Sequence, residues 1–187
     1  MANVNVNTPQ VHLIGEIKGA TNFDSARLFC KFEVKCGYNW TLLAGHDSGE
    51  TYEEIRDEIE SFALWDHPFD LHYKCKGIRG WPKFKLEVWE ADVHGRYSIA
   101  GYGIGVVPFE PGQHTIKIKC WRPAPLGWWK QMAADLMGVK PELKFKDMTM
   151  SNAERFGFQT ETTGTVEIDV GVILKDFDIH GVTLFTD

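Results

Sequence analysis

Apolar residues recur at every second position through most of this chain, and that period restricts it to extended structure. Val11, Leu13, Gly15 and Ile17 form one such face; Leu28, Cys30, Phe32, Val34 and Cys36 form a second, with Lys31, Glu33 and Lys35 pointing away. Leu71, Tyr73 and Cys75 alternate with His72, Lys74 and Lys76, and Phe84, Leu86 and Val88 with Lys83, Lys85 and Glu87. Ile116, Ile118 and Cys120 stand opposite Lys117 and Lys119, and Val166, Ile168, Val170, Val172 and Leu174 opposite Thr165, Glu167 and Asp169. Successive strand side chains point to opposite faces, so each segment buries one face and wets the other, as half-buried antiparallel strands do. Turns such as CGYN, KGIRGWP and EPGQH separate these segments, which predicts an all-β antiparallel β-sandwich of about eight strands.

Two segments break the period. Residues 48–62, SGETYEEIRDEIESF, are acidic, with helical spacing only at Tyr52, Ile55 and Ile59, and read as a solvated insertion with room for a short helix. In residues 124–138, APLGWWKQMAADLMG, Trp128, Met132 and Leu136 repeat every four positions beside Trp129, Ala133 and Met137. Gly138 stands where a left-handed cap is wanted, so one short amphipathic helix is predicted there. The stretch 140–164 is long enough for a mobile connection. At 187 residues the chain reads as one domain, 11–182, with a lead at 1–10 and a tail at 183–187.

Charge and motif content exclude several functions. A net charge of −6 argues against nucleic-acid binding, which needs a basic face, so any anionic partner must meet a local patch. The opening MANVNVNTPQ shows neither a basic leader nor an apolar run of signal length, and the chain reads as cytosolic. Cys30, Cys36, Cys75 and Cys120 lack a C-x-x-C spacing, and three of them fall at apolar strand phases, as buried reduced thiols do. His67 and His72 are five apart on an extended segment, which sends them to opposite faces and makes them poor joint metal ligands. No G-x-S-x-G, H-E-x-x-H or P-loop occurs, and GYGIGVVPF alternates as a strand where a phosphate-binding glycine motif would open a helix. The carboxylates are scattered, so no catalytic residue and no cofactor is assigned.

The tryptophans and lysines carry more weight. Trp65, Trp81 and Trp121 fall at strand ends and read as core; Trp89 lies on the polar face of its strand and is a candidate for a partner surface. If the strands through Leu71 and Leu86 pair as a hairpin, then His72, Lys74, Lys76, Lys83 and Lys85, with Arg79 in the turn, share one outer face or its tip. Such a patch would meet anionic lipid head groups or an acidic partner, or be a solvated strand face.

Several stretches, in order and spacing, resemble one family: LFCKFEV (28–34), WDHPFDLHY (65–73), KGIRGWPKFKLEVW (76–89), GRYSIAGYG (95–103), WRPAPLGWW (121–129) and TGTVEIDVGVILKDFDIHGV (163–182). They look like the B-nine domain proteins of the ciliary transition zone, over about residues 11–182. The resemblance implies a C-two-like antiparallel sandwich that is not an enzyme and sits at the transition zone, basal body and axoneme base. It implies as partners two paralogues, the first B-nine-domain protein and the Meckel syndrome type 1 protein, in the complex that gates traffic into cilia. The lead and the acidic insertion are longer than the family pattern. On this reading the glycine-rich strand 99–107, with Gly101, Gly103 and Gly105, and the loop through Pro108 and Pro111 form an exposed edge beside a paralogue; the alternative is a tight interior strand. Calcium-binding C-two modules place three Asp in the strand-end loop, where this chain has Glu90, Asp92 and Ser98, and Arg27 falls near the opposing Asp position. Calcium needs about six to eight oxygens, so this loop reads as a corner without a metal.

Overall fold

The computed structural model describes residues 8–56, 61–92, 94–124 and 159–178. Ten strands form: β1 Gln10–Thr21, β2 Arg27–Lys35, β3 Trp40–Ala44, β4 Ser48–Glu50, β5 Glu54–Ile55, β6 Phe62–Cys75, β7 Lys83–Ala91, β8 Tyr97–Val106, β9 Gly112–Pro123 and β10 Thr160–Lys175. They pair antiparallel throughout, in the order β3-β6-β1-β10-β9-β8-β7-β2-β4, with β5 also on β2. The count is ten where about eight were expected, because the short edge strands β4 and β5 have no periodic signal of their own.

This single sheet curls over, so that β6 and β1 face β2 and β7 across the core. Phe69 of β6 meets Phe84 of β7 with ring centroids 5.3 Å apart, His67 meets Phe32 at 5.4 Å, and the Trp65 indole donates to the Leu28 carbonyl at 3.2 Å. The alternating residues read from the sequence fill the space between: Val11, Leu13, Ile17, Leu28, Cys30, Leu71, Phe84, Leu86, Val88, Ile118, Val166, Ile168 and Val170 are all buried. A buried indole N–H without an acceptor costs about 1–3 kcal/mol, which the Leu28 carbonyl avoids for Trp65.

The fold-over lies between β8 and β9. Strand β9 pairs with β10 along nearly its whole length but with β8 only at Tyr102↔Trp121 and Gly103↔Cys120. A Cβ at Gly103 would lie 2.9 Å from Ile118 Cγ2 and 3.0 Å from Cys120 Sγ, and one at Gly105 would overlap Ile118 Cδ1. The glycines thus let the β9 side chains come down onto β8. The glycine-rich strand is therefore interior, between β7 and β9, and the exposed-edge expectation is corrected.

Two further expectations change. The strands through Leu71 and Leu86 form no hairpin: β6 pairs with β1 and β3, β7 with β2 and β8. Seven residues, 76–82, separate them and carry the chain from one layer to the other. The acidic stretch, among its described residues, forms two short edge strands on β2, with Ser48, Glu50, Tyr52 and Ile55 exposed: β4 and β5 flank Thr51, which is buried, donates its amide to the Cys30 carbonyl and accepts the Cys30 amide on its hydroxyl, both at 2.9 Å. No α-helix occurs among the described residues, and the amphipathic segment 127–138 lies outside them.

Candidate functional site

The corner between β7 and β8 holds the residues compared with a calcium loop. Ser98 donates its hydroxyl to Glu90 Oε1 at 2.9 Å, and Glu90 is buried. Asp92 Oδ1 accepts the amides of His94 and Arg96, each at 2.8 Å, while Oδ2 takes the Arg96 Nε at 2.7 Å. Gly95, at φ +77°, supplies the left-handed residue that lets this turn close. The Arg96 amide, and after it the Arg96 guanidinium and the His94 amide, hold the Asp92 carboxyl down to about 2 against some desolvation. On the opposing side Arg27 Nε donates to Glu53 Oε1 at 2.6 Å, and the Tyr97 hydroxyl to Glu53 Oε2 at 3.0 Å. The loop's carboxylates are thus aimed at its own donors, with Arg96 supplying the positive charge, and the residues do not fit a calcium ion. Among the described residues no three His, Cys, Asp or Glu side chains converge as metal ligands.

The six basic candidates separate. His72 and Lys74 lie on the outer face of β6, where the His72 Nε2 and Gln10 Oε1 are 2.8 Å apart and His72 packs 5.1 Å from the His12 ring. Lys85 lies on the outer face of β7 in the opposite layer, only 6% exposed, opposite Glu33 on β2. Lys83 opens β7, and Lys76 and Arg79 are exposed on the connection 76–82. Without the hairpin there is no single basic face; Lys74, Lys76, Arg79 and Lys83 instead surround one loop at one end of the molecule.

Trp89 points outward from β7 as expected, but its ring is engaged within the protein. It stacks on Phe29 at 6.3 Å, carries Lys31 Nζ over its face at 5.4 Å, and packs against the buried cluster Ile99, Tyr102 and Trp121. Beside it, a groove of about 400 Å³ on β4, β2 and β7 is lined by Lys31, Glu33, Glu50, Lys85 and Glu87 together with Phe32. The other interface candidates part company: Gly101, Gly103 and Gly105 are buried, Pro108 is half-buried, and Pro111 is exposed on the β8–β9 loop.

The end of the molecule opposite the β7–β8 corner is formed by residues 36–39, 76–82 and 107–111, which hydrogen bonds tie together. The Gly37 amide donates to the Gly80 carbonyl at 2.8 Å, the Trp40 indole to the Arg79 carbonyl at 3.1 Å and the Trp81 indole to the Val107 carbonyl at 2.9 Å. Trp40 and Trp81 meet edge to face at 5.2 Å. Beyond this plug Tyr38 is 87% exposed, Ile78 54% and Phe109 58%. Phe109 lies in the loop through Pro108 and Pro111 already named as an interface candidate, whereas Tyr38 and Ile78 were not singled out, because loop positions carry no period and only their exposure in a fold makes them stand out.

All four cysteines are free, three of them buried and Cys36 half-buried. Burial pushes the Cys36 and Cys120 thiols up to about 12, and those of Cys30 and Cys75 upward as well, which makes them poor nucleophiles.

A curled, all-antiparallel sheet whose acidic corner is closed by its own arginine defines the class of this protein as an all-β domain. The chain belongs to the B9 family: residues 11–173 match the model described as ciliary basal body-associated, B9 protein. It is 42% identical over 174 residues to B9 domain-containing protein 2 of Mus musculus, covering 92% of this chain and 98% of that protein. It is 26% identical over 172 residues to B9 domain-containing protein 1 of Xenopus laevis, covering 90% and 87%. The C2A domain of plant Extended Synaptotagmin 1 is a looser likeness, at 12% identity and a TM-score of 0.43 over 96% of this chain and 98% of that one.

Proposed function

We propose that this chain is a non-enzymatic structural adaptor of the ciliary transition zone. It assembles with the first B9-domain protein and the Meckel syndrome type 1 protein in the complex that gates entry to the cilium and supports ciliogenesis, acting from the cytoplasm at the basal body and the base of the axoneme. The observation that carries the reading is the 42% identity to B9 domain-containing protein 2 over 98% of its length. Two features support it. The match to B9 domain-containing protein 1 shows that the family contains divergent members of one domain type, as a complex of paralogues requires. The thiols of Cys30 and Cys120, raised by burial, and the Asp92 carboxylate, tied into its turn, are engaged structurally.

The test is affinity purification of the tagged chain from ciliated cells, followed by mass spectrometry and imaging. Recovery of both paralogues, and a signal at the ciliary base, is the expected result. Absence of both paralogues from a preparation that retains folded chain would sink the adaptor reading.

A further inference from the structure

We infer that the end of the molecule bearing Tyr38, Ile78 and Phe109 is a calcium-independent docking tip for an anionic lipid surface. The apolar trio is placed together by the backbone. The Gly37–Gly80 hydrogen bond sets Tyr38 beside Ile78, and Phe109 rests on Trp81, the next residue after Gly80, with ring centroids 4.8 Å apart. All three project beyond the Trp40–Trp81 plug, so insertion needs no rearrangement of the fold. Single exposed apolar residues are ordinary on a soluble protein, whereas three on adjoining loops at one pole form a contiguous patch of the kind that marks an interaction site.

The surrounding charge selects the partner. Lys74, Lys76, Arg79 and Lys83 flank or occupy the central loop, and among the described residues none of the four has an ion-pair partner. Lys31, Lys35, Lys117 and Arg122, on the strands, are by contrast paired with Glu50, Glu33, Glu167 and Glu161. Among the described residues the carboxylates near this pole are Glu110, beside Phe109, Asp176 and Asp178 after β10, where Phe177 packs on Trp81, and Asp47, whose charge acts on Cys36. On a chain of net charge −6, these four cations concentrate positive charge on and beside the central loop of the apolar tip. Apolar side chains at the centre with lysine and arginine at the rim match the layering of a membrane, hydrocarbon below and anionic head groups above. The tip lies at the opposite pole from Glu90, Asp92 and Ser98, so it makes no use of that corner. The inference goes beyond the adaptor reading and needs none of its partners.

The test is flotation of the full chain with vesicles of phosphatidylcholine alone, or with added phosphatidylserine, in a calcium chelator and across a salt series. Binding should require phosphatidylserine and weaken with salt, by about fivefold for each of Lys76 and Arg79 that is neutralised. Tyr38→Ser with Ile78→Ser should lose binding while the melting temperature is kept, since both side chains are exposed. A fluorophore on Tyr38→Cys should shift to the blue on the anionic vesicles. Lys117→Glu with Lys119→Glu, an equal change of net charge on β9, should leave binding within about twofold. No binding by the parent chain, or binding unaltered by Lys76→Glu with Arg79→Glu, overturns the inference. So does a parent chain that ignores vesicles but loses a protein partner through these same substitutions, which would assign the tip to an acidic protein.

Discussion

Gly37 and Gly80 touch through their backbones: the Gly37 amide donates to the Gly80 carbonyl at 2.8 Å, and a Cβ on either residue would press into the main chain of the other. Gly80 also has φ +78°, a conformation that side chains disfavour. The contact fastens the β2–β3 connection to the β6–β7 connection, and both cross between the layers at that pole. Replacing Gly80 by alanine combines a left-handed backbone cost with overpacking, so Gly80→Ala should destabilise the domain by roughly 2–4 kcal/mol in urea unfolding. Gly77→Ala in the same loop, where a Cβ would meet only Asn39 Nδ2 at 3.5 Å, should stay within about 0.5 kcal/mol of the parent. Equal effects at the two positions would refute the packing account.

The β8–β9 fold-over predicts a coupling between positions. Gly105→Ala drives a methyl into the Ile118 side chain and should cost about 1–3 kcal/mol. Ile118→Ala alone opens a cavity in the core and should cost about 2–5 kcal/mol. In the double variant the new methyl occupies part of that space, so the two losses should sum to more than the loss observed, by at least about 0.5 kcal/mol. Strict additivity in a denaturation cycle would show that β9 does not press on β8 there.

Asp92 sets an acid limit on its corner. Its folded-state acidity is strengthened to about 2, below the roughly 3.9 of a free aspartate, so its contribution is complete above the unfolded value and disappears as pH falls through the folded one. Hydrogen-exchange protection of the His94 and Arg96 amides should therefore fade between about pH 4 and pH 2, and be weakened at neutral pH in Asp92→Asn. Millimolar calcium should leave the melting temperature unchanged, because a ligand stabilises only the state it occupies. A calcium-induced rise in melting temperature, abolished by Asp92→Asn, would contradict the geometry.

The thiols offer a direct probe of compactness. At pH 8 a disulfide reagent should react slowly with the native chain and fully with all four cysteines in urea, since burial holds the thiolate population down. Cys36, half-buried at the end of β2, should be the first to react. Rapid native labelling of Cys30 or Cys120 would show that the core opens on the timescale of the reagent.

Much of this fold is legible as faces and little of it as neighbours. Val11, Leu13 and Ile17, or Phe84, Leu86 and Val88, declare an inward side by alternation alone, and each is buried. Alternation says nothing about which strand lies alongside, so Leu71 and Leu86, close in sequence, suggest a hairpin when a seven-residue crossing in fact sends them to opposite layers. The same limit misplaced the glycine-rich strand: Gly101, Gly103 and Gly105 announce a close approach without saying whether the neighbour is a partner or β9. Trp89 was correctly placed outward, yet its stacking on Phe29 depends on the β2–β7 register, which no local pattern encodes. The corner at Asp92 was readable because its residues are adjacent in sequence; the pole at Tyr38, Ile78 and Phe109 draws on three distant loops, of which only the one through Pro108 and Pro111 was singled out.

Strand β10 lies between β1 and β9, near the middle of the sheet, although among the described residues it is the last strand in chain order. Its registers with both neighbours, Ile17↔Ile168 and Ile168↔Ile116 among them, are what join the β3-β6-β1 part to the β9-β8-β7-β2-β4 part. During synthesis these two portions must wait beside each other, each with an open edge, until residues 160–175 have left the ribosome. A premature stop anywhere before Thr160 would therefore not merely shorten the protein. It would release two unjoined sheets with bare hydrogen-bonding edges, a form that chaperones must hold and proteases remove.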